Sequence, residues 1–120
     1  MTPSEPIRTT TTAHAETWLE FHDRLGLRVA DQARLLGVSP RTMGTLRRGE
    51  APTEQNARRL AEMGRLLEAL TELMEDDEVA TWLGTPNDAF GGLKPIEMIE
   101  RGHVDQLWQM VYMLRAGEPG

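Results

Sequence analysis

The chain of 120 residues contains no cysteine, so disulfides and thiolate metal ligands are excluded. Its three histidines are His14, His22 and His103, and no two stand four apart as a helical zinc-binding pair requires. The only serines are Ser4 and Ser39, one in the opening segment and one placed as a helix cap, so no nucleophile, base and orienting partner can be assembled. Gly91-Gly92 stands alone without a preceding strand and makes no phosphate cradle. Catalysis, a metal and a cofactor are therefore not expected. No apolar run approaches the roughly 18 residues of a membrane span. The opening MTPSEPIRTTTTAH lacks the apolar stretch of a signal peptide. These absences lead to the expectation of a cytoplasmic protein with no membrane partner and no small-molecule substrate.

What is present is unevenly charged. The formal net charge is −6, which taken alone argues against a nucleic-acid partner. Yet residues 21–50 carry six arginines against three carboxylates, while residues 51–120 carry six basic against thirteen acidic groups. One part of the chain is suited to meet an anion and the other to meet something else, unless both are merely solvated faces.

No segment alternates at period two over strand length, and an all-α fold is expected. Residues 1–12 read as a disordered tail, with two prolines and four consecutive threonines. A first helix is expected over residues 13–25, its apolar stripe made by Trp18, Leu19, Phe21, His22 and Leu25, with His22 a partly buried packing residue. Two short helices, Val29 to Leu36 and Pro40 to Arg48, complete a helix-turn-helix module over residues 13–52. A long helix over about residues 53–75 follows, with Thr53 at its N-cap. Leu60, Met63, Leu67, Leu70 and Met74 step along it by 3, 4, 3 and 4, and Leu66 and Leu73 widen the stripe. This surplus apolar face suggests a linking segment, residues 53–76, that also pairs two copies of the chain. Glu75-Asp76-Asp77-Glu78 reads as a solvated turn capping the next helix rather than a calcium loop. A small helical module over residues 77–120 ends the chain, with short helices at 77–83 and 95–100 and a last helix at 103–115. Its stripe is Val104, Leu107, Trp108, Val111 and Leu114.

The segment VADQARLLGVSPRTMGTLRRG carries the helix-turn-helix. Ala33 is small where two helices cross. Gly37 stands where the turn needs a left-handed backbone, and Val38 can plug the core beneath it. Ser39-Pro40 is an N-cap followed by proline at the first helical position. Met43 and Leu46 turn inward, leaving Arg41, Thr42, Gly44, Thr45 and Arg48 outward or at the edges. Such a second helix can lie in a major groove, arginine pairing with guanine and threonine meeting a thymine methyl or a phosphate. The candidate DNA-binding residues are Arg28, Arg34, Ser39, Arg41, Thr42, Thr45, Arg47 and Arg48. Arg41, Thr42 and Thr45 face base edges, while Arg28, Arg34, Arg47 and Arg48 neutralise phosphate. Gly44 implies a close approach, to DNA or to a neighbouring helix. Two half-sites about 34 Å apart would require a dimer.

The second module contains W-L-x-x-P-N-x-x-F-x-G-x-x-P-x-x-x-I-x-x-G, running from Trp82 through Pro86, Asn87, Phe90, Gly92, Pro95 and Ile99 to Gly102. Its apolar residues either bury one another or form a docking surface. This run resembles the C-terminal toxin-binding domain of the Xre/MbcA/ParS antitoxins, and the arrangement of residues 13–115 resembles that family as well. The resemblance implies the antitoxin of a bacterial type II toxin–antitoxin pair. Its partner would be a RES-domain toxin that destroys NAD, or occasionally a related ADP-ribosyltransferase. The antitoxin would cover the toxin's active site with its C-terminal region, and the complex would repress its own operon. Toxin contacts are accordingly expected at Thr85, Pro86, Asn87, Phe90, Gly91, Gly92, Lys94, His103, Trp108 and Arg115. A homodimer would form through residues 60–74 and the C-terminal module. The other readings are a stand-alone transcriptional regulator without a toxin and a helical adaptor that does not bind DNA.

Overall fold

The computed structural model describes residues 17–117. The expected tail over residues 1–12 and the start of the first helix at residue 13 lie outside the described residues. Regular structure is entirely helical among the described residues. It comprises α1 (residues 17–24), α2 (Val29–Leu36), α3 (Pro40–Arg47), α4 (Glu54–Thr71), α5 (Asp76–Leu83), a 3-10 turn (Asp88–Phe90), α6 (Pro95–Glu100) and α7 (Val104–Arg115). The chain divides into two compact units between residues 65 and 66, inside α4.

In the first unit α2 packs on α3 through a turn built from the expected residues. Gly37 adopts φ 67°, and its N–H and that of Val38 return to the carbonyls of Arg34 and Ala33. This closes the end of α2 with a left-handed glycine cap. Ser39 Oγ accepts the Thr42 N–H at 3.0 Å, and Pro40 opens α3. Ala33, Leu35, Leu36, Met43 and Leu46 are buried with Leu19, Phe21, Leu25 and Leu27. Trp18 lies over Gly64 of α4, where a Cβ would fall inside the indole ring. The glycine at that position is explained by this close approach.

The apolar stripe of α4 is not surplus. Leu60, Met63, Leu66, Leu67 and Leu70 are all buried within a single chain. The expected pairing face over residues 60–70 is therefore unavailable to a second copy without unfolding. Nor does α4 reach residue 75. Beyond Thr71 the N–H groups of Glu72 and Leu73 return to carbonyls three residues back, a tightened final turn, and Glu75 takes extended dihedrals to cap α5. Leu73 and Met74 consequently lie outside the helix and are half-buried.

In the second unit α5 packs on α6 and α6 on α7. Val79, Leu83, Phe90, Ile96, Met98, Ile99, Leu107 and Val111 are its buried side chains beside those of α4. Asp76, Asp77 and Glu78 occupy the exposed first turn of α5, where carboxylates favour the helix dipole. Proline opens α6, and Glu97 accepts the Lys94 N–H at 2.9 Å to complete its cap.

His22 is more deeply placed than its sequence position suggests. It is fully buried, and neither ring nitrogen finds a hydrogen-bond partner among the described residues. Burial pushes its pKa down from 6.5 to about 4; the Asp23 carboxylate beside it opposes that shift and the Arg47 guanidinium adds to it.

Two predictions arise here. Gly64→Ala destabilises the chain by about 1–3 kcal/mol in denaturant titrations, because the indole must move, and combining it with Trp18→Leu recovers part of the loss. For His22, the unfolded imidazole takes up a proton near pH 6.5 and the folded one only near pH 4. Stability is therefore complete above pH 6.5 and falls by up to about 1.4 kcal/mol per pH unit between those values. Denaturant midpoints measured from pH 7.5 to 4.5 should show that slope, and His22→Leu should flatten it.

Candidate functional sites

The outer side of α3 is the first site. Arg41, in its first turn, is exposed, as are Arg28 and Arg48. Thr42 and Thr45 are half-buried and partly committed to local bonds. Ser39 Oγ donates to Thr42 Oγ1 at 3.1 Å, and Thr45 Oγ1 donates to the Thr42 carbonyl at 2.8 Å. Thr45 is thus left with its methyl and its acceptor lone pairs for a base edge, while Ser39 serves as the helix cap. Arg34 is half-buried on α2. Gly44 faces neither another helix nor open space. A Cβ there would stand 3.3 Å from Arg48 Nη1, so the glycine makes room for the Arg48 guanidinium to fold back along α3.

Arg47 departs from its expected role. Its guanidinium grips both carboxylate oxygens of Asp23, at 2.9 and 3.1 Å, and donates to Gln32 Oε1 at 3.1 Å. An arginine engaged in this way is already committed to a bidentate bond at the surface, rather than free as an unpaired cation would be. The same bonds hold the Asp23 carboxyl below the usual carboxylate range, Arg47 contributing most. Sequence reading missed this because Asp23, Gln32 and Arg47 are far apart in the chain and each alone resembles ordinary helix surface.

The second site is on the second unit. Asn87 organises the loop between α5 and α6. Its side chain accepts the Ala89 N–H at 2.9 Å, and its carbonyl accepts the N–H groups of Phe90 and Gly92 at 3.0 Å each. Its own N–H donates to the Leu93 carbonyl at 3.1 Å. Gly91 and Gly92 take φ 65° and 88°, which closes the loop on itself. Phe90, expected at the docking surface, is only 8% exposed and meets the Trp82 ring edge to face at 6.4 Å between centroids. It forms part of the core because the 3-10 turn directs it inward. Thr85 is exposed, but its hydroxyl donates to the Thr81 carbonyl at 2.6 Å. Pro86, Gly91, Gly92 and His103 are exposed, and Lys94 is half-buried at the cap of α6.

The outward side of α7 carries the most unusual surface. Tyr112, Met113 and Leu114 are 60%, 42% and 45% exposed. Trp108, half-buried, stacks on Tyr112 at 5.8 Å. Leu114 was expected to face inward with Leu107 and Val111. Leu107 and Val111 are buried, but Leu114, a turn further along the same stripe, is left uncovered at the end of the helix. Arg115 is held by Glu72 at 2.7 Å. Heptad-like spacing cannot tell the last turn of a covered stripe from an uncovered one, so Tyr112 and Met113 were not singled out from the sequence.

Among the described residues no group of three or more His, Asp or Glu is arranged to hold a metal ion, and no helix is long and apolar enough to cross a membrane. The architecture is a helix-turn-helix followed by a helical module with a self-closed Pro-Asn turn and a partly apolar last helix. Residues 69–117 match the family model of the antitoxin Xre/MbcA/ParS C-terminal toxin-binding domain. The mycobacterial cidal antitoxin MbcA of Mycobacterium tuberculosis, and that of Mycobacterium bovis, is 25% identical over 96 residues, which cover 79% of this chain and 85% of the relative. The crystal structure of the M. tuberculosis MbcT-MbcA toxin-antitoxin complex contains a chain of the same fold. Its TM-score is 0.70 at 24% identity, covering 86% of this chain and 94% of that one. The family match thus falls on the second unit and the last turns of α4, and the likeness to the solved chain is one of fold.

The surface and the core of the second unit should separate under mutation. Phe90→Ala lowers unfolding free energy by about 3–5 kcal/mol, as loss of a buried ring does. Leu114→Ser changes it by no more than about 0.5 kcal/mol. Circular dichroism melts of the two variants make the comparison.

Proposed function

We propose that this chain is an antitoxin that neutralises a RES-domain, NAD-degrading toxin by covering its active site with the second unit, and that it represses its own operon through α3. The observation that carries the first half is the exposed apolar surface of Tyr112, Met113 and Leu114, within the segment matched to the toxin-binding domain. Three large apolar side chains exposed within one turn of a helix on a small chain mark a candidate interaction surface. Pro86 and the Gly91-Gly92 turn extend the candidate contact set from the neighbouring loop. The acidic excess of residues 51–120 suits a basic, nucleotide-binding cleft. Neutralisation by occlusion requires no chemistry from the antitoxin itself. The RES-domain assignment is what the family resemblance implies.

The repressor half is supported by Arg41, exposed in the first turn of α3, with Thr42 and Thr45 beside it. Arg28 and Arg48 supply exposed cations for phosphate. A homodimer on paired half-sites would have to use surface other than the buried stripe at residues 60–70; the C-terminal module remains the candidate.

The direct experiment is co-expression with the toxin encoded in the neighbouring reading frame, reading cellular NAD. Wild type should preserve NAD and co-purify with the toxin. Tyr112→Asp combined with Leu114→Asp should lose both while melting normally. Full rescue by that variant would remove α7 from the interface. Operator binding with no toxin capture would favour the stand-alone regulator. In footprints, Arg41→Ala should relax sequence preference, whereas Arg48→Ala should weaken all binding about equally and reduce the salt slope by about 1.

A further inference from the structure

Arg47 stands in the last turn of α3, Asp23 near the end of α1, and Gln32 inside α2. They are joined by one closed set of hydrogen bonds. Arg47 Nη1 and Nη2 donate to Asp23 Oδ1 and Oδ2 at 2.9 and 3.1 Å. Arg47 Nη1 also donates to Gln32 Oε1 at 3.1 Å. Gln32 Nε2 in turn donates to Asp23 Oδ1 and to the Leu27 carbonyl, at 3.0 Å each. Gln32 is fully buried, so its amide has no water to fall back on. The planar guanidinium fork fits a carboxylate in one orientation, which makes the contact directional as well as attractive.

We propose that Arg47 and Asp23 are positioning residues for DNA reading: they fix the end of α3 against α1 and α2, and so set where Arg41 and Thr45 meet base edges. This rests on the reading of α3 as a DNA-contacting helix. Arg47 spends its guanidinium on Asp23 and Gln32 in this arrangement, although its sequence position beside Arg48 suggests a phosphate contact. The two roles have opposite electrostatic signatures. If Arg47 contacted phosphate, Asp23 would only repel the duplex, and removing its charge would strengthen binding. If Arg47 is a tie, removing the Asp23 charge releases the end of α3 and weakens specific binding.

The test uses the full chain, a duplex from upstream of its own reading frame and a scrambled duplex of equal length, between 50 and 200 mM salt. Arg47→Ala and the isosteric Asp23→Asn should each weaken binding to the upstream duplex on the order of tenfold. They should narrow its preference over the scrambled duplex and leave the slope of log affinity against log salt unchanged. The double variant should be no worse than either single change, because both break one network. Arg47→Lys, which keeps the charge without the fork, should recover part of the loss. Partial unfolding lowers active protein but moves neither the salt slope nor the preference ratio, so those readouts separate positioning from simple stability. Tighter binding by Asp23→Asn with a slope reduced by about 1 in Arg47→Ala would overturn the proposal and leave DNA binding intact. Unchanged affinity in both variants would overturn it equally. A wild-type chain that binds neither duplex at 50 mM salt would instead remove the DNA reading itself, and this proposal with it.

Discussion

The fold depends on one helix being used up by its own chain. α4 buries Leu60 and Met63 in the first unit and Leu66, Leu67, Ala69 and Leu70 in the second. At roughly 1.5–3 kcal/mol for each fully buried large apolar side chain, this stripe is among the largest stabilising contributions in the molecule. No part of it remains to recruit a partner. Apolar surface for recognition must therefore come from elsewhere; among the described residues the exposed large apolar side chains are Val29 on α2 and, on α7, Tyr112, Met113 and Leu114. Exposing such residues costs solubility unless another surface covers them.

Polar groups obey a parallel constraint. A side chain already satisfied inside the fold is a poor reader of a ligand, because binding must first break the bond it has. Ser39 is engaged as a cap, Asn87 in closing its loop, and Arg47 in tying Asp23 to Gln32. Arg47 is exposed as well, but its guanidinium is engaged, whereas exposed Arg41 and Arg48 are better placed to exchange water for phosphate or a base. Sorting polar residues by whether their hydrogen bonds are already made thus divides the arginine-rich segment into scaffold and surface. Composition alone cannot do this.

That division marks how far the sequence was legible. Element types and most boundaries of the described helices follow from local signals: the Gly37 turn, Ser39-Pro40, Pro95 and the period of the apolar residues. The all-helical fold rests on the same signals. The end of α4 was misplaced by four residues because Leu73 and Met74 continue the stripe into a turn that is no longer α-helical. The family signature in Trp82 to Gly102 was visible, yet part of it is structural. Phe90 packs in the core and Asn87 closes its loop. Long-range ties such as Arg47 to Asp23, 24 residues apart, leave no local pattern.

The buried His22 belongs to the same corner of the first unit as that tie, being the chain neighbour of Asp23. A neutral, unpartnered imidazole contributes packing volume but no hydrogen bond, so a leucine could fill the space at less cost in desolvation. What the imidazole adds is a dependence on protons: below its ordinary pKa, opening of the first unit becomes easier while the ion pair beside it persists until Asp23 itself is protonated. Two groups adjacent in sequence therefore weaken the unit at different pH values. The imidazole acts first, because burial lowers its pKa without offering it a partner, and the carboxylate later, because Arg47 keeps it charged.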